Sequence, residues 1–178
     1  PGYLELARKL TADAGILLFF DEIQSAFKKS AGGAQEDFGV IPDVCAIGKA
    51  LGGGFPLSAF CGRADVMDLY KPVGPVQHSG TFNATLLPVL AGIAFLREAA
   101  RPAFFEHLRR LEVAFHDGMD EIIARRGFRM VVPRHGARFG IILGRDTPAE
   151  RYEDTFCHDR GVMLAFEREC FARGVYVH

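Results

Sequence analysis

The stretch that decides the fold is ILLFFDE, residues 16–22, in which five apolar residues end abruptly in two carboxylates. A continuous apolar run of this length is typical of a strand that a parallel sheet buries on both faces. In open α/β sheets, ligands bind at the carboxyl ends of the strands. The stretch therefore predicts an α/β fold in which Asp21 and Glu22 are well placed for chemistry.

The segments around this strand predict an alternation of helices and strands, and then a change of character after Gly127. The predicted helices, from the spacing of apolar residues, are 4–14, a helix capped by Asn83 or Thr85 and reaching about Ala100, 103–126 and 161–172. The predicted strands are 44–47, 57–61, 128–132 and 138–143, the last two on either side of a turn at 133–136. We therefore place a domain boundary near residue 125, which divides the chain into residues 1–125 and residues 126–178.

The composition excludes two classes of partner. The chain has 178 residues, 49% of them hydrophobic, and its 21 basic and 22 acidic residues give a net charge of −1. A dedicated nucleic-acid-binding protein would show a basic excess, which this chain lacks. The apolar run at 16–20 is far shorter than the roughly 20 residues that span a bilayer. We expect neither nucleic acid nor a membrane as a partner.

The cysteines and the two ends of the chain suggest its context. The four cysteines have no CxxC spacing, which favours free thiols in a reducing cytoplasm over a metal site or disulfides. They are Cys45, Cys61, Cys157 and Cys170. The chain lacks an initiator Met and ends in a turn that enters a predicted strand, so we interpret it as an excerpt of a longer protein.

Lys49 lies in an unusual setting, because it follows an apolar strand and Gly48 and precedes the glycine triplet at 52–54. Most lysines are surface residues, and position alone leaves that interpretation open. A lysine in a partly desolvated site has its ammonium form disfavoured, so that its amine becomes a nucleophile able to form a Schiff base. Lys49 is therefore either a surface residue or a candidate nucleophile.

Asp21, Ile23 and the pair Gly80-Thr81 each allow a structural and a functional interpretation. Asp21 could cap a helix or pair with an arginine, or it could keep a pyridine nitrogen protonated so that the ring accepts electrons. Ile23 points the same way if the chain stays extended, and it is either a core residue or a side chain pressed on a flat ring. Gly80-Thr81 precedes a helix, where it forms a plain cap or binds a phosphate.

The sequence also contains partial matches to nucleotide-binding and metal-binding sites. Gly48-Lys49 does not complete a phosphate-binding P-loop, because position 43 is Asp instead of Gly and Ala50 replaces the Ser or Thr. An apolar strand that ends in Asp-Glu resembles the Walker B strand of an ATPase, but that interpretation leaves Lys49 and the glycine triplet unexplained. His107 and His116 have no ligand-spaced partner on the predicted long helix, so we predict them at the surface and expect no metal site.

Three stretches together resemble the class III pyridoxal-phosphate-dependent aminotransferases, especially the subgroup similar to glutamate-1-semialdehyde 2,1-aminomutase. They are LLFFDEIQSAF (17–27), GGAQEDFGVIPDVCAIGKALGGGFPLSAFCGR (32–63) and GPVQHSGTFNATLLPVLAGIAFL (74–96). The resemblance covers most of residues 1–125. It implies the fold-type I architecture, with this chain forming part of the large mixed-sheet domain and the start of the small C-terminal domain.

The resemblance also implies a role for each matching residue. Lys49 would form the Schiff base with pyridoxal 5'-phosphate, and Asp21 would pair with the pyridine nitrogen. Ile23 would pack on one face of the ring, and Gln24 would lie near the phenolic oxygen. Thr81 would reach the cofactor phosphate across the interface of a homodimer.

The implied activity is amino-group transfer in a ping-pong mechanism, or an aminomutase reaction, with a small-molecule amino donor and a carbonyl acceptor. Glu22 matches a family glutamate of supporting role. The chain departs from the commonest family pattern at 25–28 and in the spacing at 83–88, which leaves the aminomutase assignment open. A non-catalytic relative and an ATPase-type domain are the alternatives.

Overall fold

The computed structural model describes residues 2–156 and 159–177, without the side chain of Phe156. These residues divide into two compact units, Pro1–Arg109 and Arg110–His178. The domain assignment with a boundary near residue 125 stays a prediction. Among the described residues, no helix combines the length and the apolar character needed to cross a membrane.

The first unit contains a three-stranded sheet in the order β1 (Phe19–Asp21), β2 (Val44–Ile47) and β3 (Ala59–Gly62). β1 and β2 are parallel, with Asp21 opposite Ala46, and β2 and β3 are antiparallel. Because parallel strands end on the same side, the last residues of β1 and β2 form one edge, which we call the carboxyl edge. Their first residues form the amino edge.

Among the described residues, five helices belong wholly or partly to the first unit, and the last of them continues into the second unit. They are α1 (Tyr3–Asp13), α2 (Gly33–Phe38), α3 (Ala64–Met67), α4 (Leu86–Ala99) and α5 (Pro102–Arg126). A 3-10 turn, Lys49–Gly52, follows β2 directly. The predicted positions of α1, α4 and α5 are confirmed to within a residue or two, whereas α2 was not predicted because it is short and lies between glycines.

A small apolar core fixes the turn that follows β2. Leu51 of this turn is buried together with Ala26, Phe27 and Ala99. A Cβ placed on Gly92 of α4 would lie 2.5 Å from Leu57 Cδ2 and 3.2 Å from the Leu51 carbonyl oxygen. The glycine therefore lets α4 approach the backbone of the turn closely, and the turn is held between the helix and the sheet.

The first strand differs from its prediction, which placed it over 16–20 and buried it on both faces. β1 begins only at Phe19, because the backbone of Leu18 bonds to Asp43: Leu18 N donates to Asp43 Oδ2 (2.7 Å), and Asp43 N donates to Leu18 O (2.9 Å). Phe19 stacks on the ring of Phe60 but is 50% exposed. In the described residues, the apolar run is therefore not buried on both faces.

The second unit pairs short strands beside the continuation of α5. β4 (Met130–Val131) pairs with β7 (Ile142–Leu143), and β5 (Arg134–His135) pairs with β6 (Arg138–Phe139), both antiparallel. A 3-10 helix, Tyr152–Phe156, and α6 (Arg160–Ala172) follow. The turn predicted at 133–136 is wrong, since Arg134–His135 is extended and the chain reverses at Gly136, whose positive φ of 58° suits glycine.

The prediction that His116 lies at the surface is also wrong. His116 is 4% exposed in α5, and its ring meets the ring of Phe139 edge-on with 6.1 Å between centroids. Within the described residues its Nδ1 atom has no hydrogen-bond partner. The imidazole has an apolar body that packs like an aromatic side chain.

Candidate active site

The carboxyl edge of the sheet places Asp21 and Lys49 on the same side of the molecule. Asp21 is the last residue of β1 and lies opposite Ala46 of the neighbouring strand. Adjacent strands are about 4.8 Å apart, and three residues of chain span at most about 11 Å, so the Cα atoms of Asp21 and Lys49 lie within roughly 16 Å. The parallel pairing thus accounts for their common edge.

The carboxylate of Asp21 is exposed and has a single hydrogen-bond partner among the described residues. Its Oδ1 atom accepts a hydrogen bond from the backbone N–H of Ile23 at 3.0 Å. Nowhere in the described chain does a lysine, arginine or histidine form an ion pair with it. One interpretation of Asp21 was a pair with an arginine, and the described residues do not show such a pair.

Ile23 connects Asp21 to the segment that contains Lys49. A Cβ placed on Gly48 would lie 3.6 Å from Ile23 Cγ2 and 3.5 Å from Ser58 Cβ, which is van der Waals contact. The side chain of Ile23 therefore lies beside Gly48, the residue before Lys49. Ile23 is thus hydrogen-bonded to Asp21 through its backbone and lies beside the residue that precedes Lys49.

Lys49 has a backbone conformation that is uncommon for a residue with a side chain. Its φ of 48° lies in the left-handed region, and such strain costs about 1–3 kcal/mol and is frequent at functional sites. The turn is closed by Leu51 N donating to Gly48 O (3.1 Å) and is anchored by the buried Leu51. The lysine side chain is exposed, so the described residues alone do not desolvate its amine.

Glu22, directly after Asp21, is turned into the protein. Its side chain is enclosed, with 1% of the residue exposed. Oε2 accepts from Ser25 Oγ (2.9 Å) and Ala34 N (2.7 Å), and Oε1 accepts from the backbone N–H and the side-chain amide of Gln35 (3.1 and 3.2 Å). The two adjacent carboxylates therefore differ completely, since one is exposed at the edge and the other is saturated with hydrogen bonds.

Gln24 and Thr81 are exposed, and among the described residues no hydrogen bond joins either of them to Lys49 or Asp21. Thr81 lies in a turn ahead of α4, where Asn83 N donates to Gly80 O at 3.0 Å. The N-cap of α4 is Thr85, as one of the two predictions had it, although its hydroxyl donates to Phe82 O and makes no bond to the helix. The roles of Gln24 and Thr81 stay predictions.

Asp43, at the amino edge, is a charged centre that the sequence analysis missed. Its residue is 4% exposed, and its carboxylate is 2.8 Å from both Arg8 and Arg63 and accepts from Leu18 N. The Leu18 N–H and the Arg63 guanidinium hold the pKa of this carboxyl well below its usual range. Asp43 ties α1 and the sheet together at the side remote from Lys49.

The thiols agree with the prediction of free cysteines, for the three that the structure describes. Cys45, Cys61 and Cys170 are free, whereas Cys157 lies outside the described residues. Cys45 and Cys61 face each other across β2 and β3 with 3.4 Å between sulfur atoms. Burial, together with the neighbouring Cys45, raises the pKa of the Cys61 thiol to about 11. In the described part of the chain, no group of three or more metal-ligating side chains occurs.

Comparisons with known proteins agree with this geometry. Residues 1–172 match the family model for aminotransferase class-III. The chain is 36% identical over 177 residues to glutamate-1-semialdehyde 2,1-aminomutase of Desulfotalea psychrophila, covering 99% of this chain and 41% of that protein.

Solved structures give the same result. An omega-transaminase from Sphaerobacter thermophilus superposes with a TM-score of 0.87 at 32% identity, over 99% of this chain and 41% of that one. A beta-phenylalanine aminotransferase from Variovorax paradoxus has a TM-score of 0.90 at 28% identity, over 98% and 40%. The chain thus spans about two fifths of the length of these relatives.

The predicted α/β class, with fold-type I architecture, is confirmed by these superpositions. Nothing in the comparisons favours the ATPase alternative that the strand ending in Asp21 and Glu22 had left open. The family match extends over nearly the whole chain and includes every residue of the carboxyl edge. The chain belongs to the class III aminotransferase family.

Proposed function

We propose that the protein to which this chain belongs is a pyridoxal-phosphate-dependent aminotransferase or aminomutase. The observation that supports this most directly is the shared edge, where an exposed carboxylate and an exposed lysine follow two parallel strands. Membership of the class III family supports the same activity.

The residues at the carboxyl edge fit a flat, cationic aromatic cofactor. Asp21 offers a carboxylate without a cationic partner among the described residues, Lys49 offers a primary amine, and Ile23 lies between them with a branched apolar side chain. A protonated pyridine nitrogen would supply the missing cation at Asp21. The ring of the cofactor would lie along Ile23, and its aldehyde would face Lys49.

Pyridoxal phosphate, when bound, supplies an aldehyde carbon that condenses with amines and a protonated ring that accepts electrons. Asp21 would keep the proton on the ring nitrogen, because its negative charge would favour the protonated form. Ile23 would pack on one ring face and fix the plane of the ring. Gln24 would lie near the phenolic oxygen, and the Thr81 hydroxyl would donate to a phosphate oxygen from the other subunit of a homodimer.

Lys49 has two tasks at this edge. Its amine would hold the cofactor covalently through the aldehyde carbon, with loss of water. Once it is free of the cofactor, the same amine would carry a proton between the substrate carbon and the cofactor carbon, as a general base and then as a general acid. The turn anchored by Leu51 keeps the amine in place through both steps.

The substrates are a small-molecule amino donor and a carbonyl acceptor, which bind in turn in a ping-pong order. The relative at 36% identity is named an aminomutase, in which one molecule gives and receives the amino group, while the structural relatives at 32% and 28% are named transaminases. Both variants use the same edge residues. Free thiols among the described residues support a cytoplasmic location.

The test uses the full-length protein loaded with cofactor. Borohydride followed by peptide mapping should place the cofactor on Lys49, and Lys49→Ala should lose the visible absorbance and at least about a hundredfold of turnover. Lys9→Ala is the matched control, since the Lys9 side chain is 70% exposed and pairs with Asp13 on α1. Normal absorbance and turnover in Lys49→Ala would refute the proposal.

A further inference from the structure

Glu22 is a buried carboxylate for which the proposed chemistry has no direct use. Its oxygens accept four hydrogen bonds, from Ser25, from Ala34 and twice from Gln35, and no cation among the described residues pairs with it. Burying a carboxylate without a counter-ion is costly unless hydrogen bonds satisfy it. Four hydrogen bonds therefore satisfy the buried carboxylate of Glu22.

The backbone around α2 is shaped to receive this carboxylate. Two of the four donors are the amide N–H groups of Ala34 and Gln35 in the first turn of the helix. Gly33 has a φ of +70°, and a Cβ placed on it would lie 2.4 Å from Glu22 Oε2. A side chain at position 33 would therefore collide with the carboxylate, so this glycine is needed for the contact.

The backbone of Glu22 connects this internal site to the carboxyl edge. Its N–H donates to Ala46 O at 2.9 Å, which extends the pairing of β1 and β2 one residue beyond Asp21. Its carbonyl accepts from Ala26 N at 3.0 Å, which closes the turn that contains Ile23. Clamping the Glu22 side chain thus fixes the residues on both sides of it.

We propose that Glu22 is a positioning residue, whose carboxylate, held by the first turn of α2, keeps Asp21 and Ile23 in register with Gly48 and Lys49. This inference rests on the proposed function, because the groups that it positions are those that would touch the cofactor. Glu22 itself touches neither cofactor nor substrate and acts only through its neighbours.

The experiment compares Glu22→Gln with Glu36→Gln in the full-length protein. Gln at position 22 turns one acceptor oxygen into an amide that faces existing N–H or O–H donors. Glu36 is a matched control, since its exposed carboxylate also accepts a backbone amide of this region, Gly32 N at 2.7 Å. The readouts are the dissociation constant of pyridoxal phosphate, the pH at which the visible band titrates, and kcat and KM separately.

We expect Glu22→Gln to weaken cofactor binding about tenfold, to lower kcat by about 10–100-fold, as loss of a supporting partner does around metal ligands, and to shift the pH transition of the visible band. Glu36→Gln should match the wild type in all readouts. If Glu22→Gln is insoluble, Ser25→Ala removes one hydrogen bond to Oε2 and should shift the same transition by less.

Two failures are distinguishable. Wild-type protein that borohydride does not label on Lys49 would refute the proposed function. Wild-type protein labelled on Lys49, together with a Glu22→Gln variant (or a soluble Ser25→Ala variant in its place) whose cofactor affinity, pH transition and kcat equal those of the wild type, would overturn the role of Glu22 alone.

Discussion

The two edges of the same three-stranded sheet use an aspartate in opposite ways. At the amino edge, Asp43 is 4% exposed and is bound by Arg8, Arg63 and the Leu18 N–H. At the carboxyl edge, Asp21 is exposed and accepts only from Ile23 N among the described residues. A carboxylate whose partners are all internal holds the fold together, whereas one left without a cation remains available to a ligand.

The largest expected effect comes from a substitution of Asp21, which changes the carboxyl edge and leaves the amino edge intact. In the full-length enzyme, Asp21→Asn should lower kcat by about 10²–10³-fold, because the neutral amide no longer stabilises a protonated ring nitrogen. The thermal midpoint of the cofactor-free protein should change little, since Asn keeps the acceptor for Ile23 N. A variant with near-normal kcat, or one that unfolds like an Asp43 variant, would contradict the contrast between the edges.

The reverse experiment substitutes Asp43 at the amino edge and leaves the carboxyl edge intact. Asp43→Asn should lower the free energy of unfolding by about 2 kcal/mol, less than the roughly 3–5 kcal/mol for a fully buried pair because Arg63 is half exposed. Urea denaturation measures this loss. The folded fraction should still bind cofactor with nearly normal affinity at low temperature. An unchanged midpoint would mean that the paired carboxylate does not stabilise the sheet.

Acid should erase the difference between wild type and Asp43→Asn. The folded-state pKa of Asp43 is lowered, so its contribution to stability is fully present above the unfolded-state value of about 3.9 and is lost as pH falls through that value towards the folded-state pKa. Urea midpoints of the two proteins should stay apart from neutral pH down to about pH 4 and then approach each other as the pH falls towards about 2. A difference that stays constant across this range would show that the ion pairs do not cause it.

The smallest expected effects compare Arg8, which pairs with Asp43 at the amino edge, with the adjacent surface residue Lys9. Arg8→Ala should cost about 1 kcal/mol, because Arg8 pairs with the buried Asp43. Lys9→Ala should cost at most about 0.5 kcal/mol, since the Lys9–Asp13 pair is exposed on one helix face. Equal urea midpoints for the two variants would show that the ion pair with Asp43 stabilises the fold no more than the exposed pair does.

The sequence predicted the carboxyl edge well because its signals are local. The apolar run before Asp21 and the glycines around Lys49 lie within a few residues of the groups that they position. The parallel pairing that brings the two segments together follows from an α/β alternation, and the structure shows the pairing.

The amino edge and the hydrogen bonds of the Glu22 side chain to α2 were not predicted, because the partners come from distant positions. Arg63 lies 20 positions and Leu18 25 positions from Asp43, and nothing in the local pattern joins them. Glu22 is satisfied by a short helix, α2, that has no periodicity to detect. His116 was misplaced for the same reason, since its burial depends on Phe139 of a strand in the second unit.

The most direct test is a crystal structure of the full-length protein with pyridoxal phosphate. We predict electron density that is continuous from Lys49 Nζ into the cofactor, with an Asp21 carboxylate oxygen within about 3.2 Å of the ring nitrogen. The account would be contradicted if the lysine and the aspartate opened into separate cavities, or if the cofactor bound to another lysine.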